Sequence, residues 1–242
     1  MRLYEISSLT KDQFTPRQSG SPEDIGKEFG QKDQEEIGSG MYATAFSTPE
    51  EPGTVRKIVG PIDNIKDDAY FRYIKMMAGN DRMSSNPYFP KIFDIQVRRF
   101  YRKDFTGKIN LSVRYIYAVD MERLLPFKSL SQEEARMLGN KMFYDFERQT
   151  KPIRHKAGSG DPSEPRDHFE GLDTMITAVF DDWFRERLLT VIKDSRFKQA
   201  VMLIRKLETD ENIAMDIHSE NIMIRRGIGG PQIVITDPVQ NR

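Results

Sequence analysis

One short stretch near the end of the chain, residues 216–237, constrains the fold more than any other part of the sequence. It places Asp216 and Asn221 before two short apolar runs rich in isoleucine, and Asp237 after them. Three glycines separate the two runs, which predicts an antiparallel hairpin. Because a hairpin returns the chain to its starting point, we expect Asp237 to lie beside Asn221.

Composition narrows the classes of protein that this chain can be. It has 242 residues and equal numbers of basic and acidic side chains, 37 of each, which favours neither nucleic-acid nor anionic-membrane binding. Cysteine is absent, so disulfides and thiolate metal sites are excluded. No apolar run approaches about 18 residues and no secretion signal is evident at the start. We therefore expect a cytoplasmic protein.

The first half of the chain reads as an arm followed by a strand-rich region. Residues 1–32 are polar and rich in Ser, Pro, Gly and Gln, so we expect a partly flexible N-terminal arm. Residues 33–60 predict a three-stranded meander with glycines at its first turn. Together with the elements that follow, residues 33–124 predict the order β-β-β-α-β-β.

A helix and two strands complete this first region. Apolar residues at helical spacing predict the helix over residues 63–78, with Asp63 or Asn64 as its cap. β-branched and aromatic residues predict strands over 91–105 and 108–121.

Residues 125–242 read as mainly helical before the hairpin. A Ser-Gln-Glu-Glu sequence has the spacing of a capping box and opens a helix predicted over 131–150. Apolar periodicity predicts further helices over about 169–193 and 195–209. The last of these leads directly into the segment that carries Asp216.

One turn of the strand-rich region suggests phosphate binding, and a strand with a lysine follows it. Gly38-Ser39-Gly40 lies at a predicted turn, and glycine lets a backbone approach phosphates closely because no Cβ intrudes. Lys57 lies on the following predicted strand next to Arg56, so one of the two side chains faces solvent. Taken singly, a glycine pair in a hairpin is more often structural, and a strand lysine is more often solvated.

These residues together resemble the protein-kinase-like phosphotransferase superfamily, in which an Asp-x-x-x-x-Asn loop precedes a second aspartate. The resemblance implies an α+β, two-lobed protein-kinase-like fold. A five-stranded antiparallel small lobe with a hinge would span 33–124, and a reduced helical large lobe would span 125–242. The chain is similar in particular to short kinase-like proteins of tailed phages and bacterial effectors, which implies a host cytoplasm and a host protein target if it is phage-encoded.

The resemblance also implies roles for the residues of the last segment and of the strand lysine. Asp216 would orient the acceptor hydroxyl or accept its proton, and His218 would contact the transferred phosphoryl group. Lys57 would offset phosphate charge. Asn221 and Asp237 would hold Mg²⁺, with ATP as the phosphoryl donor.

Nucleotide contacts are implied at two further places. Gly38, Ser39 and Gly40 would cover the phosphates. Met121 and Glu122 resemble the hinge whose backbone groups hold an adenine edge.

The chain departs from the family pattern in the small lobe. Ala43 stands in the position of the third glycine. The helix predicted over 63–78 contains no glutamate to pair with Lys57, and Asp67 or Asp68 could substitute, although a plain helix N-terminal acid is the simpler reading of both.

The function implied is ATP- and Mg²⁺-dependent phosphoryl transfer to a hydroxyl, first of all a protein Ser/Thr. Three alternatives stay open. The first is a pseudokinase that binds a partner without catalysis, which the missing glutamate and third glycine favour. The second is a small-molecule kinase of the aminoglycoside-phosphotransferase type, and the third is an AMP transferase. No activation segment follows Asp237 in this sequence, so the large lobe is expected to be built from residues before the catalytic loop.

Overall fold

The chain forms two compact units. The computed structural model describes residues 35–39, 43–48, 51–103, 109–149, 168–180, 188–211 and 213–241. The first unit comprises the chain up to Ser84 and then Pro90–Arg123, while the second comprises Ser85–Phe89 and Leu124–Arg242. Ser85–Phe89 is called the inserted segment below. The predicted N-terminal arm lies outside the described residues.

The first unit is built on a five-stranded antiparallel sheet with the strand order β1-β2-β3-β5-β4. Its elements are β1 (Glu36–Ser39), β2 (Ala43–Ser47), β3 (Thr54–Ile62), α1 (Ala69–Gly79), α2 (Asp81–Ser84), β4 (Ile92–Lys103) and β5 (Ile109–Glu122). The predicted α+β class and the predicted order β-β-β-α-β-β are confirmed, with α2 as a short addition.

One face of this sheet is buried together with α1. Side chains alternate between the two faces of a strand. The register of β3 and β5 places one set of their buried side chains on the same face of the sheet. These are Val55, Val59, Tyr117, Val119 and Met121. Helix α1 buries Tyr70, Tyr73, Ile74 and Met77 at helical spacing. Each such side chain contributes about 1.5–3 kcal/mol when it is fully removed from water.

Helix α1 begins later than predicted, and the predicted cap at Asp63 or Asn64 is wrong. Asp68 is the N-cap, and its carboxylate accepts a hydrogen bond from the Phe71 N–H at 2.7 Å. The Asn64 side chain instead accepts from the Lys66 N–H at 3.1 Å. Asparagine often bonds to nearby backbone in this way, and such a bond competes with helix formation.

The second unit combines helices with two small sheets. Its elements are β6 (Leu125–Pro126), a 3₁₀ turn (Phe127–Ser129), α3 (Gln132–Met142), α4 (Phe146–Gln149), α5 (His168–Ala178), α6 (Leu188–Val191), α7 (Ser195–Glu211), β7 (Ala214–Met215), a 3₁₀ turn (Ser219–Asn221), β8 (Ile222–Gly227), β9 (Gly230–Ile235) and β10 (Val239–Gln240). One sheet has the order β6-β8-β9, and the other pairs β10 with β7.

The single helix predicted from Ser131 onward is in fact two helices. Its capping box is confirmed, since the Ser131 side chain and the Glu134 side chain each bond to the other residue's backbone N–H. Helix α3 then ends, because Phe143 pairs with Ile192 in an isolated bridge. Asp145 adopts a φ of 51°, which turns the chain before α4.

The helix predicted over 169–193 is also shorter than expected. Helix α5 ends at Ala178, after which the Phe180 N–H bonds to Thr177 O at 3.0 Å as a turn. Helix α6 covers only Leu188–Val191, and residues 181–187 lie outside the described residues. The prediction for the next helix is confirmed by α7. Of the described helices, none has the length and the apolar composition that crossing a bilayer requires.

The inserted segment is bound tightly within the second unit. The Arg225 guanidinium donates to Pro87 O at 2.8 Å and to Phe89 O at 3.0 Å. The Ile235 N–H bonds to Tyr88 O at 2.8 Å. Both Tyr88 and Phe89 are buried. The hairpin of β8 and β9 is therefore held on residues that lie far earlier in the sequence.

Candidate active site

The carbonyl group that follows Asp237 holds the backbone of Asp216. Helix α7 ends just before the buried Ile213, and the next residues form β7, which pairs with β10. The Asp216 N–H then donates to Pro238 O at 2.8 Å. This bond fixes the start of the 216–221 loop against the residue next to Asp237.

The other neighbour of Asp237 holds Asn221. Strands β8 and β9 form the hairpin that the sequence predicts, with Ile222 opposite Ile235. The Thr236 N–H and hydroxyl both donate to Asn221 O, at 3.0 and 3.1 Å. Asp237 therefore lies between two residues that are hydrogen-bonded to the ends of the Asp-x-x-x-x-Asn loop.

The Asn221 side chain closes this loop from within. Its Nδ2 donates to Asp216 O at 2.7 Å and lies 3.3 Å from Asp216 Oδ2. Because the amide nitrogen is directed at Asp216, the amide oxygen is directed elsewhere and is available as a ligand. The described residues contain no group of three or more His, Asp or Glu side chains placed to hold a metal ion.

His218 lies within this loop and is half exposed. Its Nε2 lies 2.9 Å from Asn221 Nδ2 and 3.7 Å from Asp216 Oδ1. Its Nδ1 faces the Glu220 N–H at 3.3 Å. Because the Glu220 N–H donates to it, Nδ1 is the acceptor nitrogen of this ring.

Asp173 of α5 is a further acid near this loop, and the sequence motifs did not predict it. Burial raises the pKa of its carboxyl, and the charge of His218 acts in the opposite direction. Its Oδ1 is buried and has no hydrogen-bond partner among the described residues. The only sequence signal was an acid next to Leu172, within the apolar face of the predicted helix.

In the first unit, Lys57 lies on β3 between Ala45 of β2 and Val119 of β5. Its Nζ lies 3.8 Å from the centroid of the Tyr70 ring of α1. The neighbouring Arg56 binds Asp120 through two nitrogens, each at 2.6 Å. The hydrogen bond to Asp120 raises the pKa of the Arg56 guanidinium.

The glycine-rich turn is described only in part. Gly38 and Ser39 lie in β1 opposite Ala45 and Thr44, and the register shifts between Glu36 and Gly38. A Cβ added at Gly38 would meet no atom within 4 Å. Gly40 lies outside the described residues, so a phosphate-covering role for this turn stays a prediction.

The residues expected to hold adenine lie at the end of β5. Met121 and Glu122 are both buried. The Glu122 N–H donates to Lys91 O at 3.0 Å, and its carboxylate accepts from the Lys91 N–H at 2.8 Å. The backbone donor of Glu122 is thus engaged within the first unit, and the adenine contact stays a prediction.

Each unit therefore contains a different part of the predicted site. In the second unit, Asp216, His218 and Asn221 are in mutual contact, and Asp237 is linked to them through its neighbours. In the first unit, the residues predicted for phosphate and adenine lie on one sheet. They are Gly38, Ser39, Lys57, Met121 and Glu122.

No family model and no curated protein matches the chain. Among solved structures, it is similar to aminoglycoside phosphotransferase APH(4)-Ia, with a TM-score of 0.35 and 14% identity, over 89% of this chain and 69% of that one. A thermostable mutant of that enzyme, in a ternary complex with AMP-PNP and hygromycin B, gives a TM-score of 0.35 and 16% identity, over 90% and 70% of the two chains. Both neighbours are kinase-like phosphotransferases, and at this TM-score neither carries weight for the function of this chain.

Proposed function

We propose that this protein transfers the γ-phosphoryl group of ATP to a hydroxyl, with Mg²⁺ as its metal. The observation that carries the proposal is the backbone linkage of the second unit. Asp216 bonds to Pro238, and Asn221 bonds to Thr236, so that two acids and an amide are fixed together. A surface hairpin with merely solvated acids would not need this linkage.

In this reaction the acceptor oxygen bonds to the γ-phosphorus, and the bond from that phosphorus to the β–γ bridging oxygen breaks, releasing ADP. Asp216 takes the proton of the acceptor hydroxyl. Its backbone is held by Pro238 and its carbonyl by Asn221, so its carboxylate is positioned before the acceptor binds. Lys57 of the first unit offsets negative charge on the phosphates.

The donors suit magnesium. The amide oxygen of Asn221 and the carboxylate of Asp237 are hard oxygen ligands, and Mg²⁺ usually takes only one or two carboxylates besides phosphate and water. Magnesium would neutralise phosphate charge as it develops. Thr236 and Pro238 keep Asp237 in place through their bonds to Asn221 and Asp216.

The decisive test is Asp216→Asn, a change that preserves the size of the side chain and the backbone bond to Pro238. We expect transfer of labelled γ-phosphate to fall by about 10²–10⁴, the usual loss for a general base. The control is Asp210→Asn, an exposed acid on α7 paired with Lys206. Equal activity of the two variants would overturn the role of Asp216.

Nucleotide binding is measured separately by thermal unfolding with ATP, with and without Mg²⁺. ATP at about 100 times its Kd should add about 2.7 kcal/mol, or roughly 5–10 °C in Tm for a chain of this length. No shift at any concentration would favour a binding module that does not use nucleotide. Label retained from the α-phosphate instead of the γ-phosphate would identify an AMP transferase.

The acceptor class is resolved in the same assay. We propose a protein Ser/Thr hydroxyl, and dephosphorylated casein is its probe. Hygromycin B, which is bound in one of the similar solved structures, probes the small-molecule alternative. Label on hygromycin B and not on casein would replace the protein acceptor by a small hydroxyl ligand, while the phosphoryl-transfer proposal would stand.

A further inference from the structure

The ammonium group of Lys57 lies over an aromatic ring. Its Nζ is 3.8 Å from the centroid of Tyr70, well within the roughly 6 Å at which a cation is attracted to the face of a ring. Tyr70 is 7% exposed and lies in the first turn of α1. The contact thus joins β3 to the helix that packs on its sheet.

The two acids beside Tyr70 are used for other purposes. Asp68 caps α1 and also accepts from the Tyr117 hydroxyl at 2.7 Å. Asp67 is 73% exposed, and its carboxylate contacts Asn64 and Arg72. Neither acid therefore substitutes for the missing glutamate, and α1 presents Lys57 with the face of Tyr70.

The ring that receives Lys57 is held firmly. Tyr70 stacks on Tyr117 with a centroid distance of 6.5 Å, and Tyr73 lies 6.2 Å away on the same helix. Tyr73 and Tyr117 are themselves buried. Such a packed aromatic group has little freedom to turn, so the place where a cation sits over it is well defined.

We propose that Tyr70 is a positioning residue for Lys57 and holds its ammonium group by a cation–π contact from the helix that carries a glutamate in kinase-like proteins. The contact itself does not depend on the proposed function. Only its consequence does, namely that Lys57 is held where it binds the phosphates of ATP. An aromatic face orients an ammonium group and adds no negative charge near those phosphates.

The contact is tested first in the protein without nucleotide. Protons above an aromatic ring resonate upfield, so the side-chain methylene signals of Lys57, assigned by their loss in Lys57→Met, should be displaced upfield. The displacement should persist in Tyr70→Phe and disappear in Tyr70→Leu. Signals at ordinary positions in the wild-type protein would overturn the proposal, whether or not ATP binds.

The consequence for binding is tested next with Mg·ATP. Tyr70→Leu should weaken its affinity on the order of 3- to 30-fold, the range of cation–π energies, whereas Tyr70→Phe should stay within about twofold. Pentafluorophenylalanine in place of Tyr70 keeps a ring of similar size and reverses its charge distribution, so it guards against a folding defect in Tyr70→Leu. This variant should match Tyr70→Leu.

The outcomes separate the two proposals. Equal affinity of the phenylalanine and pentafluorophenylalanine variants would overturn the cation–π role, because packing alone would then explain Tyr70. Absence of ATP binding in the wild-type protein would overturn the proposed function, while the resonances of Lys57 would still decide its contact with Tyr70.

Discussion

The two units hold their candidate functional groups by different means. In the second unit, backbone hydrogen bonds to Thr236 and Pro238 place the loop that carries Asp216 and Asn221. In the first unit, strand pairing places the backbone of Lys57, and its ammonium group lies over the ring of Tyr70, a side-chain contact. Positions set by the backbone follow from residue spacing, whereas positions set by side chains depend on which partner happens to pack nearby.

The largest effect on stability should come from the side-chain contacts of the first unit. Asp68→Ala removes the cap of α1 and the acceptor of the Tyr117 hydroxyl, two contacts of a buried carboxylate. A lost cap costs about 1 kcal/mol and a lost buried hydrogen bond about 1–3 kcal/mol, so we expect about 2–4 kcal/mol in total. Urea unfolding measures this loss.

The matched control is the neighbouring acid. Asp67→Ala removes a largely exposed carboxylate, whose loss should cost less than about 0.5 kcal/mol. Similar values for the two variants would show that side-chain contacts do not fix α1, and the contrast between the units would then fail.

A smaller effect should come from the backbone of the second unit. Gly230 at the turn of the β8–β9 hairpin has a φ of 90°, which side-chain-bearing residues rarely adopt. Gly230→Ala meets no atom within 4 Å, so only the backbone opposes it, and we expect a loss of about 1–2 kcal/mol in thermal unfolding.

Its control lies one residue earlier. Gly229 has the same open space but no such φ, so Gly229→Ala should change stability by less than about 0.5 kcal/mol. If both variants unfolded alike, the hairpin would tolerate a change of turn, and backbone geometry would not set the position of Asp237 as tightly as we argue.

The smallest effect concerns pH and the ion pair between Arg226 of the hairpin and Glu134 of α3. This contact, with the Ser131 N–H as a second donor, lowers the pKa of Glu134 from 4.5 to about 2. Because the folded pKa is depressed, the stabilisation is complete above about pH 4.5 and disappears as the pH falls through about 2.

Glu134→Gln should therefore lower the stability at neutral pH slightly and flatten its decline over this acidic range, which urea unfolding at several pH values would measure. Glu133→Gln, at an exposed acid in the same helical turn, is the control. If Glu134→Gln declined with pH as steeply as the control, the pair with Arg226 would contribute nothing to the folded state.

Much of the fold could be predicted from local patterns. The sequence of elements in the first unit, the capping box of Ser131 and the β8–β9 hairpin each follow from residues close together in sequence. Helix ends could not be predicted in the same way. Asn64 bonds to Lys66 instead of capping a helix, and Phe143 leaves α3 to pair with Ile192, which is distant in sequence. Local propensity carries no information about a partner as distant in sequence as Ile192.

The same distinction between local and distant partners applies to the candidate site. The spacing of Asp216, Asn221 and Asp237 predicted a loop and a hairpin, and the backbone bonds follow from that geometry. The contact of Lys57 with Tyr70 was not predicted, because Tyr70 was assigned to the apolar face of an amphipathic helix. Asp173 was missed for a related reason, since its position near His218 depends on how α5 packs.

The inserted segment has a consequence for the evolution of the protein. The chain passes from one unit to the other after Ser84, returns after Phe89, and passes again after Arg123. A gene fragment starting at Leu124 would thus encode a second unit without Tyr88 and Phe89, which Arg225 and Ile235 bind. Recombination that exchanged this unit as a module would have to exchange two separate stretches of DNA, so the two units are expected to have been inherited together.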